Sequence, residues 1–225
     1  MDNSSLFSLS YGLYVLTARH DGKDNGCIIN TAMQITSNPP IIGLISVNKQ
    51  NRTHAMIMNT NKFNVSALDT ETPFDLIKHF GMQSGAAVDK FAIFRETDKS
   101  KDGNLHLKNN PIEGDNKFPV LRSKNGILHL KNHANAYLSF EVLDTVDFGS
   151  HTVFKAEIVD GEVIGKSTSL TYAYYHQFIK PKPQAAAQHG YRCIFCGYIH
   201  GGESLPEDFV CPLCKHGAID FIKLS

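Results

Sequence analysis

Residues 12–57 read GLYVLTARHDGKDNGCIINTAMQITSNPPIIGLISVNKQNRTHAMI, and this stretch decides the fold. YGLYVLTA (11–18), aromatic and β-branched, reads as its first strand and turns at DGKDNG (21–26), whose Asp-Gly and Asn-Gly pairs suit a tight hairpin. CIINTAMQI (27–35) follows and is broken by SNPP (37–40), because proline removes a ladder donor. IIGLISV (41–47) is nearly continuous apolar, the pattern of a strand buried on both faces. RTHAMIMNT (52–60) then changes to helical spacing.

Working outward, KFNVSAL (62–68) reads as a strand and PFDLIKHFG (73–81) as a short helix stopped by Gly81. Residues 96–126 are polar and glycine-punctuated, an excursion with little regular structure. ANAYLSFEVLDTV (134–146) alternates as a half-buried strand, and HTVFKAEIVDGEVIG (151–165) signals a hairpin around Asp160-Gly161. Many short strands, turn punctuation and few helices predict a mainly β fold, a barrel or a sandwich with helices at its ends. Residues 180–190, KPKPQAAAQHG, form a semi-stiff spacer with little to bury. The domains are therefore 1–179, a linker at 180–190, and 191–225.

Twenty-two basic side chains balance 22 acidic ones. Zero formal charge argues against nucleic-acid binding, and no apolar run approaches the ~20 residues of a membrane span. The N-terminal stretch lacks a basic region and a continuous apolar core, so no signal peptide is expected and the protein is expected in the cytoplasm.

Of five cysteines, four (Cys193, Cys196, Cys211 and Cys214) fall near the C-terminal end as two C-x-x-C pairs with 14 residues between them. Both sulfurs of such a loop can face one centre, and two loops make a tetrahedral thiolate set suited to zinc or a single iron. A segment of ~35 residues buries too little to fold alone, so the metal supplies much of its folding free energy. Two disulfides are the alternative, disfavoured in a reducing compartment. Cys27, on a strand, reads as a small buried hydrophobe.

The body has no G-x-G-x-x-G after its first strand, no P-loop and no nucleophile elbow. Asn48-Lys49-Gln50-Asn51-Arg52-Thr53 follows a strand and opens a helix, combining backbone N–H groups, a hydroxyl and two cations suited to a phosphate. Taken singly, Lys49 and Arg52 read equally as solvated surface charges, His151 as a structural histidine, and the tyrosines of 172–175 as core aromatics.

Two resemblances add to this. G-x-Y-V-x-T, the N-T-A stretch, S-x-P-P, S-V-N-K, DKF (89–91), HTVFKAEIVDGEV (151–163) and LTYAYYH (170–176), in that order, resemble the flavin reductase family of FMN-binding split β-barrels. That resemblance implies a Greek-key barrel that dimerises. It places Asn30, Thr31, Ala32 and Gln34 along the flavin ring and ribityl chain, with Ser46, Val47 and Asn48 beside them. It also gives Lys49, Arg52 and Thr53 to the phosphate, Tyr175 to the pocket, and His151 to the open ring face where NAD(P)H docks.

The tail's Y-x-C-x-x-C-G-Y and C-P-x-C, with Phe209 two residues before Cys211, resemble rubredoxin, which implies one iron on four cysteines. The spacing between the pairs is short, as in rubrerythrin tails, and Phe209 and Lys215 stand where Trp and Gly are usual. Together the halves resemble the high-molecular-weight rubredoxins. That family passes electrons from NADH to a flavodiiron protein, so the resemblance implies an electron-transfer flavoprotein with such an acceptor partner. A flavoredoxin-like carrier reduced by another protein, and a flavin-free barrel with a zinc-ribbon docking module, are the other readings.

Overall fold

The computed structural model describes residues 8–92, 118–181, 190–194, 197–211 and 217–224. The first hairpin joins β1 (Tyr14–His20) to β2 (Lys23–Ile29). Its turn places Asp21 and Gly22 at φ 49° and 72°, the doubly left-handed geometry that matches strand twist. β3 (Ala32–Gln34) and β4 (Ile42–Asn48) follow, then α1 (Arg52–Thr60), β5 (Lys62–Leu68) and α2 (Phe74–Gly81). After the excursion come β6 (Val120–Arg122), β7 (Leu128–Leu130) and two long strands, β8 (Ala134–Asp147) and β9 (His151–Val163). A helical turn at Tyr172–Tyr174 continues as a π-helix over Tyr175–Ile179. Residues 93–117, most of the expected excursion, and 182–189, most of the linker, lie outside the described residues.

The main sheet runs β2-β1-β5-β8-β9-β4-β3, with every pair antiparallel. Its two edge strands, β2 and β3, are joined through only Asn30 and Thr31. The sheet must therefore curl until its edges lie side by side, giving an open barrel. Across that seam the Tyr14 hydroxyl donates to the Ala32 carbonyl at 3.3 Å.

Leu16, Ile45, Val47, Phe63, Val65, Phe140 and Phe154 pack with Met56 and Ile57 of α1 as one core. Cys27 is buried there as expected. A second core gathers Leu13, Val15 and Leu68 with α2, β6–β7 and the terminal helix.

Two strand expectations change. The Asp160-Gly161 hairpin does not form: both residues stay within β9, paired with Ser139 and Leu138, and the chain reverses at residues 148–150. Asp-Gly permits a turn only where the partner strand ends, and β8 continues past it. Gly161 instead permits a close approach, since a Cβ there would stand 2.8 Å from the Leu138 side chain and 2.9 Å from the Tyr137 carbonyl. β4 is also not buried on both faces: Ile45 and Val47 are buried, while Leu44, Ser46 and Asn48 are half-buried.

The tail forms a separate sheet, β11-β10-β12, from β10 (Gly190–Cys193), β11 (Ile199–His200) and β12 (Phe221–Leu224).

Candidate functional site

The main-sheet register assembles most of the expected flavin residues at one end of β3, β4 and β9. Ala32 pairs with Ile45, and Asn48 pairs with His151. The Ser46 amide donates to the Thr31 carbonyl at 3.2 Å, and the Thr31 hydroxyl to the Asn30 side chain at 3.2 Å. Asn30, Thr31, Ala32, Ser46, Asn48 and His151 are all half-buried. Val47 is fully buried in the core, so only its backbone is available to a ligand. Gln34 lies exposed at the far end of β3, donating to the Thr36 carbonyl at 2.8 Å.

At the β4–α1 junction the Asn48 side chain accepts the Gln50 amide at 2.8 Å, shaping the turn into the helix. Asn51 stands at the N-cap but makes no side-chain cap bond, and the first turn holds no acidic residue. The first-turn N–H groups therefore keep their positive end of the dipole. An uncapped helix start beside open strand ends fits a flavin phosphate and ring.

The three phosphate candidates separate. The Thr53 hydroxyl is fully buried and accepts the Asn25 amide at 3.0 Å. Lys49 is bound to the Asp147 carboxylate at 2.6 and 2.7 Å, tying the β8–β9 turn to α1. That ammonium, with the Gly149 amide, holds the Asp147 carboxyl below the usual range. Arg52 is exposed and makes no ion pair among the described residues.

Tyr175 is buried in the second core, with Leu13, Leu76 and Phe80, and so does not join the β3–β4–β9 group. His54 does join it, a residue sequence reasoning passed over. Its Nε2 lies 2.8 Å from the Thr152 hydroxyl, one position along β9 from His151, and its ring meets Phe154 edge-on. Burial first, then the Lys49 charge, depress its pKa. The signal was available: His54 sits in the first turn of a helix whose start had been singled out. His151 Nδ1 stands 2.9 Å from the Ser150 hydroxyl, half-exposed.

In the tail, Cys193 ends β10 and is 1% exposed, and Cys211 is 0% exposed. The Gly197 amide donates to the Cys193 carbonyl at 3.0 Å, with Gly197 at φ 77°, and the Cys193 amide to the Tyr198 carbonyl at 2.9 Å. This is the tight reversal a C-x-x-C knuckle needs. Val210 bridges Gly217, bracketing the second pair. Phe209 packs edge-on against Phe221 and tilted against His200, a small aromatic core. Cys196 and Cys214 lie outside the described residues. Two buried thiols at the ends of bracketed turns are a donor set that fits a thiolate-bound metal.

The Flavin reductase like domain family matches residues 6–180, and the Rubrerythrin, rubredoxin-like domain family matches 191–222. A high molecular weight rubredoxin from Moorella thermoacetica is 35% identical over an alignment of 247 residues, covering 96% of this chain and 97% of that protein. A ferric-chelate reductase (NAD(P)H) from Archaeoglobus fulgidus is 34% identical, covering 83% of this chain and 96% of that protein. Among solved structures, flavoredoxin from Methanosarcina acetivorans superposes with a TM-score of 0.54 at 20% identity, covering 72% of this chain and 74% of that one, a likeness of fold.

Proposed function

The chain belongs to the flavin reductase-like family and carries a rubredoxin-like domain at its C-terminal end; on that premise we propose an oxidoreductase that passes electrons from NAD(P)H through FMN to an iron centre on Cys193, Cys196, Cys211 and Cys214. The observation that carries this reading is the fusion of the two domains in one chain. FMN takes two electrons as a hydride and releases them singly, and a four-thiolate iron takes one at a time while its tetrahedron barely changes.

The chain's own residues then have distinct tasks. Asn30, Thr31, Ala32 and the Ser46–Asn48 strand end hold the ring, Gln34 contributes from the outer end of β3, and Arg52 with the α1 N-terminus holds the phosphate. His151 positions the nicotinamide; hydride transfer needs alignment rather than an acid, so its half-exposed ring serves as a wall. Cys193 and Cys211, both buried, would keep water from a bound metal, whose potential N–H···S bonds would tune.

The proposed acceptor is a flavodiiron protein, and the proposed site of action the cytoplasm. No helix among the described residues is long and apolar enough to cross a membrane. A homodimer is supported by exposed apolar side chains at Met33, Ile35, Leu143, Val146 and Phe148, on β3, just after it, and on the β8–β9 arm.

Anaerobic addition of NADH to the purified protein is expected to bleach the flavin bands and then the ferric-thiolate bands. Both staying oxidised for minutes would sink the NAD(P)H step and leave the flavoredoxin-like carrier. Cys211→Ser is expected to remove the ferric-thiolate bands and leave flavin binding intact; loss of both would overturn the domain division. A colourless purified protein with bound zinc would favour the docking-module reading.

A further inference from the structure

The turn between β8 and β9 is tied to the β4–α1 junction by more than the strand ladder. The Lys49 ammonium holds the Asp147 carboxylate at 2.6 and 2.7 Å, and the Lys49 amide donates to the Ser150 carbonyl at 3.0 Å. A further tie is the His54 ring, whose Nε2 lies 2.8 Å from the Thr152 hydroxyl. His151, the first residue of β9, stands between these ties and opposite Asn48. We propose that His54 is a positioning residue for hydride transfer: through Thr152 it fixes the start of β9, and with it the His151 ring that aligns the nicotinamide. The proposal rests on the flavin reading above.

The geometry of β9 lets this tie reach His151. Successive residues of a strand point to opposite faces, so a bond that holds Thr152 inward holds His151 outward. Thr152 is 5% exposed, and Phe154, two positions on along the same face, is 0% exposed. The His54 ring touches both: it also meets the Phe154 ring edge-on, with 5.5 Å between centroids. One imidazole thus contacts two successive inward positions of β9, and leaving Thr152 would break the aromatic contact as well. The Lys49–Asp147 pair lies in the open, its side chains 35% and 67% exposed, where water and salt screen it.

His54 is itself firmly placed. Its neighbour Thr53 is fully buried and bound by the Asn25 amide at 3.0 Å, and α1 packs into the first core through Met56 and Ile57. The His54 amide donates to the Asn51 carbonyl at 3.0 Å. Burial and the Lys49 charge hold the ring toward its neutral form, with Asp147 opposing them. A neutral imidazole carries one donor and one acceptor nitrogen, and a hydroxyl complements whichever stands at Nε2. Hydride transfer depends on near-attack alignment, so a shift at the start of β9 lowers the rate from bound donor more than it weakens flavin binding.

The test follows anaerobic flavin reduction by NADH in the unaltered holoprotein and in His54→Leu, His54→Gln, Thr152→Val, Thr152→Ser and the Leu/Val double variant. Leucine fills the ring's place against Phe154 without the hydrogen bond; glutamine restores a partner for the hydroxyl, and serine keeps the hydroxyl itself. His54→Leu and Thr152→Val are each expected to lower the limiting rate at saturating NADH roughly ten- to hundredfold, the scale of a misplacement of about 1 Å. The double variant loses no more than either single one, because the two changes remove one interaction. His54→Gln and Thr152→Ser recover most of the rate, and FMN affinity holds throughout. An unchanged rate in His54→Leu, additive losses, no recovery in His54→Gln, or an equal loss of FMN affinity overturns the proposal. A second arm reads the His151 ring signals by NMR of histidine-labelled protein, assigned by their absence in His151→Asn. They shift in His54→Leu and Thr152→Val and return in His54→Gln and Thr152→Ser; signals unmoved in His54→Leu overturn the proposal. Should NADH fail to reduce the unaltered protein, the functional reading fails separately, and the NMR arm decides whether His54 positions His151. Should His54→Leu not fold, the Thr152 pair decides: a change with valine and none with serine supports the proposal, and the same result with both overturns it.

Discussion

Lys90 shows how a single residue's role depends on its surroundings. In sequence it is one cation within DKF; in the fold its ammonium is buried against two carbonyls and the Cys27 side of the core. Burial pushes its pKa down, while the carbonyl bonds satisfy its donors. Lys90→Met keeps the stem and strands both carbonyls, so a loss of about 1–3 kcal/mol is expected in urea unfolding of the protein. An unchanged midpoint would show that water replaces the ammonium without cost. Burial of this kind was not legible in the sequence, because a lysine is by default a surface residue.

Among the elements, α1, β5 and α2 were legible almost to the residue, since each carries its own period and its own stop. The β8–β9 arm was not: Asp160-Gly161 is a local turn signal overruled by the continuous partner strand. Gly43 in β4 belongs to the same class of position. A Cβ there would meet the Phe140 ring at 2.9 Å and the Met33 carbonyl at 3.1 Å, between β3 and β9. Gly43→Ala is expected to cost about 1–3 kcal/mol by overpacking and to loosen β3, which carries Ala32 and Gln34. Parallel thermal melts and flavin titrations check both effects; full retention of stability and affinity would show that Phe140 yields freely.

At the scale of the molecule, four histidines among the described residues are held toward the neutral form, and burial is the first cause at each: His54, His79, His129 and His176, the last pushed down to about 4. In the unfolded chain each titrates near 6.5, so below that pH the unfolded state binds more protons than the native one. Stability is therefore full above the ordinary histidine range and falls as pH drops from about 6.5 toward 4. With partial exposure discounting each contribution, the combined loss is on the order of a few kcal/mol. Urea midpoints measured between pH 7 and 4.5 check this, and a flat profile would refute it. His176 also keeps a buried Nε2 without a hydrogen-bond partner, which adds nothing to offset its burial.

By itself the sequence determined the local periods, the cysteine spacing and the composition, and hence a mainly β body followed by a thiolate tail; these follow from side-chain chemistry and short-range sterics. Only the tertiary structure decided which cations are spent and which remain. Lys49 and Arg52 are three residues apart and look alike in a string, yet one faces Asp147 of β8 and the other a cleft shared with Lys23. Charge pairing depends on distances between elements far apart in the chain, and those are set by how the sheet curls.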